Sequence, residues 1–307
     1  MQEINLSGLH PYEKAYQPNA LLGEYAYSLC GGPCDGLFLI GNSEMLKALA
    51  QKCILGNIPF KVLGGMSNVL VSDGGFRGII LLNREGIIQK SGNEGDLILL
   101  TVDSGSSMAS LVRYCRENEL TGFEWAAGLP GTVGGAVYGN AGAFGREIKD
   151  IFRCGTLLDE TGSEICLSQN DMEFKYRSSI LKSRKSKYVL LKAVFALKKG
   201  SSEEIKAQEE LNKEKRRASQ PVSERSLGSV FKNPDGFSAG KLIQDSGLKG
   251  TSIGNAVVST KHANFITTSR GVRSEDYRQL VMLVQKTVFA KFGINLDPEI
   301  EFIGFEE

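Results

Sequence analysis

The chain has 307 residues with 36 Lys and Arg against 35 Asp and Glu, a formal net charge of +1. That balance argues against a nucleic-acid partner, which needs clustered basic charge to displace phosphate counterions. A hydrophobic content of 41% with 23% charged residues excludes a largely disordered chain, and the length suggests about two domains. No run of about 18 apolar residues occurs, and the first residues lack the basic and apolar regions of a signal peptide. No membrane span and a cytoplasmic location are therefore expected. Six cysteines (Cys30, Cys34, Cys53, Cys115, Cys154, Cys166) show no CxxC or Cys/His metal spacing, so reduced, mostly buried thiols and no metal site are expected. Glycine is the outlier: 36 residues, about 12% of the chain against about 7% in average usage.

In chain order, a helix is predicted from Ser43 as cap through Met45, Leu46, Leu49 and Cys53 to Gly56. Short apolar runs at Phe60–Leu63, Val69–Val71, Ile79–Leu82 and Leu97–Val102 read as strands separated by glycine turns. A helix is predicted over about Ser107 to Asn118, with Met108, Leu111, Val112 and Cys115 on one face. Gly122–Gly145 holds eight glycines in 24 residues and suits neither a normal helix nor a strand. Ile151–Leu158 and Tyr188–Leu197 read as strands. Composition shifts at Lys198–Ser202, where a domain boundary near residue 200 is expected. An exposed, densely charged helix follows over Glu203–Arg217, with capping-box spacing between Ser201 and Glu204. Two more helices are predicted, near Ala239–Ser246 and over Glu275–Lys291, the latter capped by Ser274 and Gly293.

Five segments carry chemical potential. Leu63-Gly64-Gly65-Met66-Ser67-Asn68 is a strand end running into a glycine turn. It reads either as an anion nest, with Ser67 and Asn68 adding donors, or as an ordinary hairpin turn. In Gly128-Leu129-Pro130-Gly131-Thr132-Val133-Gly134-Gly135, continuing through Gly139, Asn140, Gly142 and Gly145, few side chains fill space. A flat ligand or another backbone must do so. Neither G-x-G-x-x-G nor G-x-x-x-x-G-K-[ST] occurs, which removes the usual Rossmann and P-loop readings. Phe174-Lys175-Tyr176-Arg177-Ser178-Ser179, Gly228-Ser229-Val230-Phe231-Lys232-Asn233-Pro234 and Asp297-Pro298-Glu299-Ile300-Glu301 are individually bland. Alone they read as a surface pair on a strand, a turn and a strand entrance.

Taken in order, the five segments resemble the UDP-N-acetylenolpyruvoylglucosamine reductase family, from Gly31-Gly32-Pro33-Cys34-Asp35 to Gly304. The glycine block, Gly228–Pro234 and Lys261-His262-Ala263-Asn264-Phe265-Ile266 are the most specific parts. The resemblance implies an α+β protein: a two-subdomain FAD-binding part of the vanillyl-alcohol-oxidase type and a smaller C-terminal α+β substrate domain. The expected ranges are residues 1–200 (about 1–83 and 84–200) and 201–307. Tyr176-Arg177 runs straight into Ser178-Ser179-Ile180-Leu181, which resembles the shorter branch of the family.

The family reaction uses NADPH to reduce FAD, which then reduces the enolpyruvyl ether of a UDP-sugar to a lactyl ether in peptidoglycan precursor synthesis. The resemblance implies Arg177 as carboxylate holder, Ser229 as proton donor and Glu299 as the assisting acid, with Glu301 close enough to be confused with it. It implies Tyr176, Arg177 and Asn233 at the substrate. Gly64, Gly65, Ser67 and Asn68 would cradle the FAD pyrophosphate, and Gly128, Gly131, Thr132, Gly134, Gly135, Asn140, Gly142 and Gly145 would line the rest. Neither His10 nor His262 lies in a flavin loop, so noncovalent FAD is expected and His262 reads as structural. The sequence does not specify an oligomeric state. Three positions depart from the family pattern. Met66 stands where a third glycine is common, Leu29 replaces an arginine, and Ser219 replaces a lysine that contacts substrate. Two other readings stay open: an FAD-dependent oxidoreductase of the same fold acting on another small substrate, and a noncatalytic nucleotide-binding homologue.

Overall fold

Helices begin and end where the sequence supplies caps, with two corrections. In the computed structural model, which describes residues 10–182 and 187–305, the first long helix spans Ser43–Leu55. Its cap is Asn42, one residue before the predicted one: the Asn42 side chain accepts from the Met45 N–H at 2.8 Å. Helix Met108–Glu117 is capped by Ser107 as expected. Helix Ser274–Phe292 closes on Gly293 at φ 69°, but its N-terminus is held from far away in sequence. The Asp73 carboxylate accepts from the N–H groups of Ser274 (2.8 Å) and Glu275 (3.0 Å), favourable at the positive end of a helix.

The chain divides into two compact units. The first comprises the residues up to Pro18, Gly36–Gly65 and Gly78–Glu214, and holds two sheets. One is ordered Tyr16–Pro18, Cys34–Ile40, Phe76–Asn83, Phe60–Leu63, the last two strands parallel. Helix Ser43–Leu55 buries Met45, Leu46, Leu49 and Cys53 in the core that contains Phe38, Ile79 and Leu81. The other sheet is antiparallel, ordered Glu164–Ser168, Phe152–Leu158, Val189–Lys199, Leu97–Asp103, Ile88–Glu94, with Leu120–Thr121 pairing the end of the long strand. Its core, around Phe123, Trp125, Phe152 and Phe195, takes in Val133 and Val137 from the glycine block.

The second unit comprises Asn19–Asp35, Met66–Arg77 and Lys215–Glu307. An antiparallel sheet ordered Arg225–Ser229, Phe265–Thr268, Ala256–Val258, Ser252–Ile253 shares a core with helices Ala239–Asp245 and Ser274–Phe292. Val69–Val71 pairs in parallel with Glu301–Ile303.

The division therefore departs from the expected boundary near residue 200. It falls after Glu214, inside helix Ser202–Ser219, and two N-terminal segments join the C-terminal unit. The helix explains part of this. It is not simply exposed, because Ile205, Glu209, Asn212 and Arg216 are buried along one face. Within the first unit Glu209 pairs with Arg116 at 2.7 Å and Asn212 donates to the Glu124 carbonyl at 2.9 Å. A polar stripe is buried when each group finds a partner.

Candidate active site

The first two glycine segments pack directly against each other within the first unit. Strand Phe60–Leu63 ends at Gly64, where a Cβ would lie 2.2 Å from Thr132 Oγ1; a Cβ on Gly65 would lie 2.8 Å from Gly131 Cα. These two positions are glycine because the Thr132 side chain and the Gly131 backbone occupy the space a side chain would need. Thr132 caps the short helix Val133–Tyr138, and the Gly134 N–H donates to the Ser104 carbonyl at 2.7 Å. The block is thus not wholly irregular, as its glycine content predicts: it contains this helix and the small hairpin Gly142–Ala143/Arg146–Glu147.

The outward face of the helix differs. A Cβ on Gly135 would meet nothing closer than Thr132 Oγ1 at 3.8 Å, and one on Gly139, a turn later, nothing closer than the Gly135 carbonyl at 3.7 Å. Gly135 is exposed. Bare helix backbone with no neighbour filling the space is a surface on which a flat ligand can lie. Gly128, Gly131 and Gly145 have φ of +78°, +106° and +78°, a region side chains seldom adopt.

Arg177 and Tyr176 form the tip of a tight turn rather than part of a strand. Lys175 and Ser178 exchange backbone hydrogen bonds of 3.0 and 3.1 Å across it. Arg177 has φ 54°, its guanidinium stacks 5.0 Å from the Tyr176 ring centroid, and Nη2 donates to the Gly142 carbonyl at 2.9 Å. Asn140 and Gly142 are both engaged with neighbouring protein groups. Asn140 is fully buried with its amide bonded to protein groups, and a Cβ on Gly142 would strike the Arg146 carbonyl at 2.6 Å.

In the second unit, the segments that carry Ser229 and Glu299 run side by side. Phe231 forms an antiparallel bridge with Pro298, and the Glu299 N–H donates to the Val230 carbonyl at 2.8 Å, one residue from Ser229. The strand begins only at Glu301, whose N–H donates to the Asn68 carbonyl at 2.9 Å. Both glutamates are thus tied to Asn68 through their backbones, and Glu299 is bonded in addition to the Val230 carbonyl. Lys232 and Asp297 pair at 2.6 Å on the same two segments. Asn233 Oδ1 accepts from the Ala239 N–H at 3.0 Å, so this predicted substrate residue also anchors the start of helix Ala239–Asp245.

Two asparagines hold this arrangement. Asn264 is buried; its Oδ1 accepts from the Phe231 N–H at 3.0 Å, its Nδ2 donates to the Phe231 carbonyl at 2.8 Å, and its own carbonyl accepts from Val230 at 2.8 Å. Asn68 Nδ2 donates to the Glu299 carbonyl at 3.1 Å, so an expected pyrophosphate contact also latches the acid's segment. Their side-chain bonds run to residues 33 and 231 positions away, which local sequence pattern does not reveal; for Asn264 the only sequence signal is its place in Lys261–Ile266.

The departures from pattern have definite outcomes. Met66 adopts φ 49°, so the turn keeps its left-handed residue despite the side chain, which is 3% exposed. Burial of the thioether chain offsets a backbone cost of about 1–2 kcal/mol. Leu29 is likewise left-handed at φ 62°. Ser219 ends its helix with its hydroxyl donating to the Lys215 carbonyl at 2.7 Å, and Lys261 Nζ donates to the nearby Arg217 carbonyl. His262 accepts the Asn264 N–H on Nδ1 at 3.2 Å and packs edge-on to Phe265; burial pushes its pKa down.

Known proteins match along the same lines. The profile described as "FAD binding domain" covers residues 34–168, and that described as "UDP-N-acetylenolpyruvoylglucosamine reductase, C-terminal domain" covers 220–303. The reductase of Caldicellulosiruptor saccharolyticus is 45% identical over 299 residues, 97% of this chain and 94% of that one. The reductase of Clostridium novyi is 39% identical over 290 residues, 94% and 92% of the two chains. The chain belongs to the UDP-N-acetylenolpyruvoylglucosamine reductase family. The crystal structure of the Thermus caldophilus reductase superposes with a TM-score of 0.77 at 30% identity, covering 92% of this chain and 97% of that one. Membership makes the chain an FAD-containing oxidoreductase with the two-subdomain FAD-binding part and C-terminal domain of that family. A Cβ on Gly135 or Gly139 would meet no atom closer than 3.7 Å, which leaves room for a flat ring system against this backbone.

Proposed function

We propose that the chain reduces the enolpyruvyl ether of UDP-N-acetylglucosamine to the lactyl ether of UDP-N-acetylmuramate, with NADPH as hydride source. When bound, FAD supplies the two-electron chemistry that carries hydride from NADPH to the terminal vinyl carbon of the substrate. Residues for the cofactor are Gly64, Gly65, Gly128, Gly131, Thr132, Gly134, Gly135 and Gly145 of the first unit and Ser67 of the second. The first unit also carries Arg177, whose planar guanidinium holds the substrate carboxylate in fixed geometry, and Tyr176, on whose ring that guanidinium stacks.

Ser229 and Glu299 act on the carbon that bears the ether oxygen. As charge develops there and spreads into the carboxylate, Glu299 assists in stabilising the enolate. The Ser229 hydroxyl transfers its proton to the carbon and is reprotonated from solvent; a serine is a weak acid, but a carbanion is basic enough to take its proton.

The observation that carries this reading is the pairing of Val230 with Glu299, which sets a hydroxyl and a carboxyl on adjacent segments of a family C-terminal domain. Met66 supports it against a noncatalytic homologue, since its positive φ keeps the turn conformation that the missing glycine would have supplied. No helix among the described residues is long and apolar enough to cross a membrane, in keeping with a cytoplasmic enzyme acting on a nucleotide sugar. Rapid-mixing kinetics of Ser229→Ala test the assignment. Flavin content and reduction by NADPH are expected to stay normal while reoxidation by the enolpyruvyl substrate is lost. An unaltered second half-reaction removes Ser229 from the mechanism.

A further inference from the structure

Arg177 is anchored at two points that meet in one side chain. Its backbone sits at the tip of the Lys175–Ser178 turn, and its guanidinium rests on the Gly142 carbonyl at 2.9 Å. The hairpin that offers this carbonyl pairs Gly142 with Glu147 and Ala143 with Arg146. Asn140 bridges the two structures: Nδ2 donates to the Lys175 carbonyl at 3.0 Å and to Glu147 Oε2 at 2.7 Å, while Oδ1 accepts from the Lys149 N–H at 3.0 Å. It is 0% exposed and itself left-handed at φ 43°. Asn140 is thus the side chain that joins the turn carrying Arg177 to the hairpin holding its guanidinium.

We infer that Asn140 is a positioning residue for Arg177, fixing the guanidinium against the substrate carboxylate rather than lining the cofactor. This rests on the reading of Arg177 as the carboxylate holder. Several features converge on it. Both Asn140 and Arg177 hold positive φ, a conformation kept where surrounding structure over-determines it and one that clusters at functional sites. The amide uses both its donor and its acceptor side on protein groups, as a buried clamp must. Ser179, immediately after the turn, is buried and donates to the Tyr138 carbonyl at 2.8 Å, so the other end of the turn is tied to the same block. A guanidinium displaced by even a fraction of an ångström loses alignment with the carboxylate, and misplacement of about 1 Å costs on the order of 10²-fold.

Asn140→Asp tests this because it keeps shape and the Lys149 bond while turning the donor edge into an acceptor facing the Lys175 carbonyl and Glu147. Rates are measured per bound flavin. The expected result is normal reduction by NADPH with reoxidation by the enolpyruvyl substrate slowed by about 10- to 100-fold. In the double variant N140D/R177K, the loss should be smaller than the product of the two single losses, because residues acting through one contact are not additive. Reoxidation within two-fold of the parent, equal losses in both half-reactions, or fully additive losses overturn the inference. If Arg177→Lys alone leaves reoxidation intact, the carboxylate-holder reading itself fails, which is distinct from a failure of Asn140. Should N140D not fold, Glu147→Ala decides. It removes one of the two Asn140 acceptors, and a smaller loss confined to reoxidation supports the inference, whereas a uniform loss or none overturns it.

Discussion

The glycines divide by what occupies the space above them, and substitution separates the two classes. At Gly64 an added methyl would lie 2.2 Å from Thr132 Oγ1, far inside the ordinary contact of about 3.5–4.0 Å. Thr132 is buried and caps its helix, so it cannot swing away cheaply. Overpacking of this kind costs about 1–3 kcal/mol, and at about 2–4 °C per kcal/mol Gly64→Ala should lower the melting temperature of the flavin-free protein by about 2–12 °C. At Gly135 the nearest atom to an added Cβ is 3.8 Å away. Valine is also a slightly better helix residue than glycine by a few tenths of a kcal/mol. Gly135→Val should therefore leave the flavin-free protein as stable as the parent, within about 2 °C. With cofactor present the branched side chain occupies the ligand's space. The same 1–3 kcal/mol then appears as roughly 5- to 150-fold weaker FAD binding. The assay is thermal melting of protein stripped of flavin, followed by fluorescence titration with FAD. Parental FAD affinity in Gly135→Val would refute the argument that this bare helix face carries cofactor.

Glu299→Gln should lower turnover by on the order of 10²–10⁴ with FAD reduction by NADPH little changed, while Glu301→Gln stays close to the parent; steady-state kinetics giving the reverse ranking would reassign the acid. Met66→Gly relieves a left-handed backbone but empties a buried site, and large-to-small changes at such positions cost about 2–5 kcal/mol against the 1–2 kcal/mol regained, so denaturant melts should show net destabilisation. Burial holds the His262 pKa below its usual 6.5, so the unfolded chain binds more protons just below that pH and stability should fall as pH drops through 6.5 toward the depressed native value; melting curves for His262→Gln over that window should show a weaker pH dependence, and an unchanged one would contradict the burial argument.

Most elements were legible because their signals are local. Alternation or short apolar runs set Phe60–Leu63, Val69–Val71 and Leu97–Asp103; caps set Met108–Glu117 and the Gly293 end of the last long helix. Errors came where the decisive partner is distant in sequence. The N-terminus of Ser274–Phe292 is held by Asp73, and the polar face of Ser202–Ser219 is buried because Arg116 and Glu124 meet it. A pattern rule that reads charged helices as exposed has no access to either fact. The Glu299 and Glu301 ambiguity could not be resolved by period, since both could share a strand face; the choice of Glu299 rests on its place in the motif Pro298-Glu299-Ile300. The identities of Arg177, Ser229 and Glu299 came from resemblance to a family, since each of their segments is bland alone. What the structure adds is the trio of asparagines, Asn68, Asn140 and Asn264, whose side chains tie those segments in place.

The most direct test of the central claim is the redox cycle of the purified protein under anaerobic conditions. Addition of NADPH should bleach the visible flavin band, and enolpyruvyl-UDP-N-acetylglucosamine should restore it while UDP-N-acetylglucosamine does not, with one lactyl ether formed per flavin reoxidised. A bleached flavin that the enolpyruvyl substrate leaves reduced would contradict the account, as would a protein that binds no flavin.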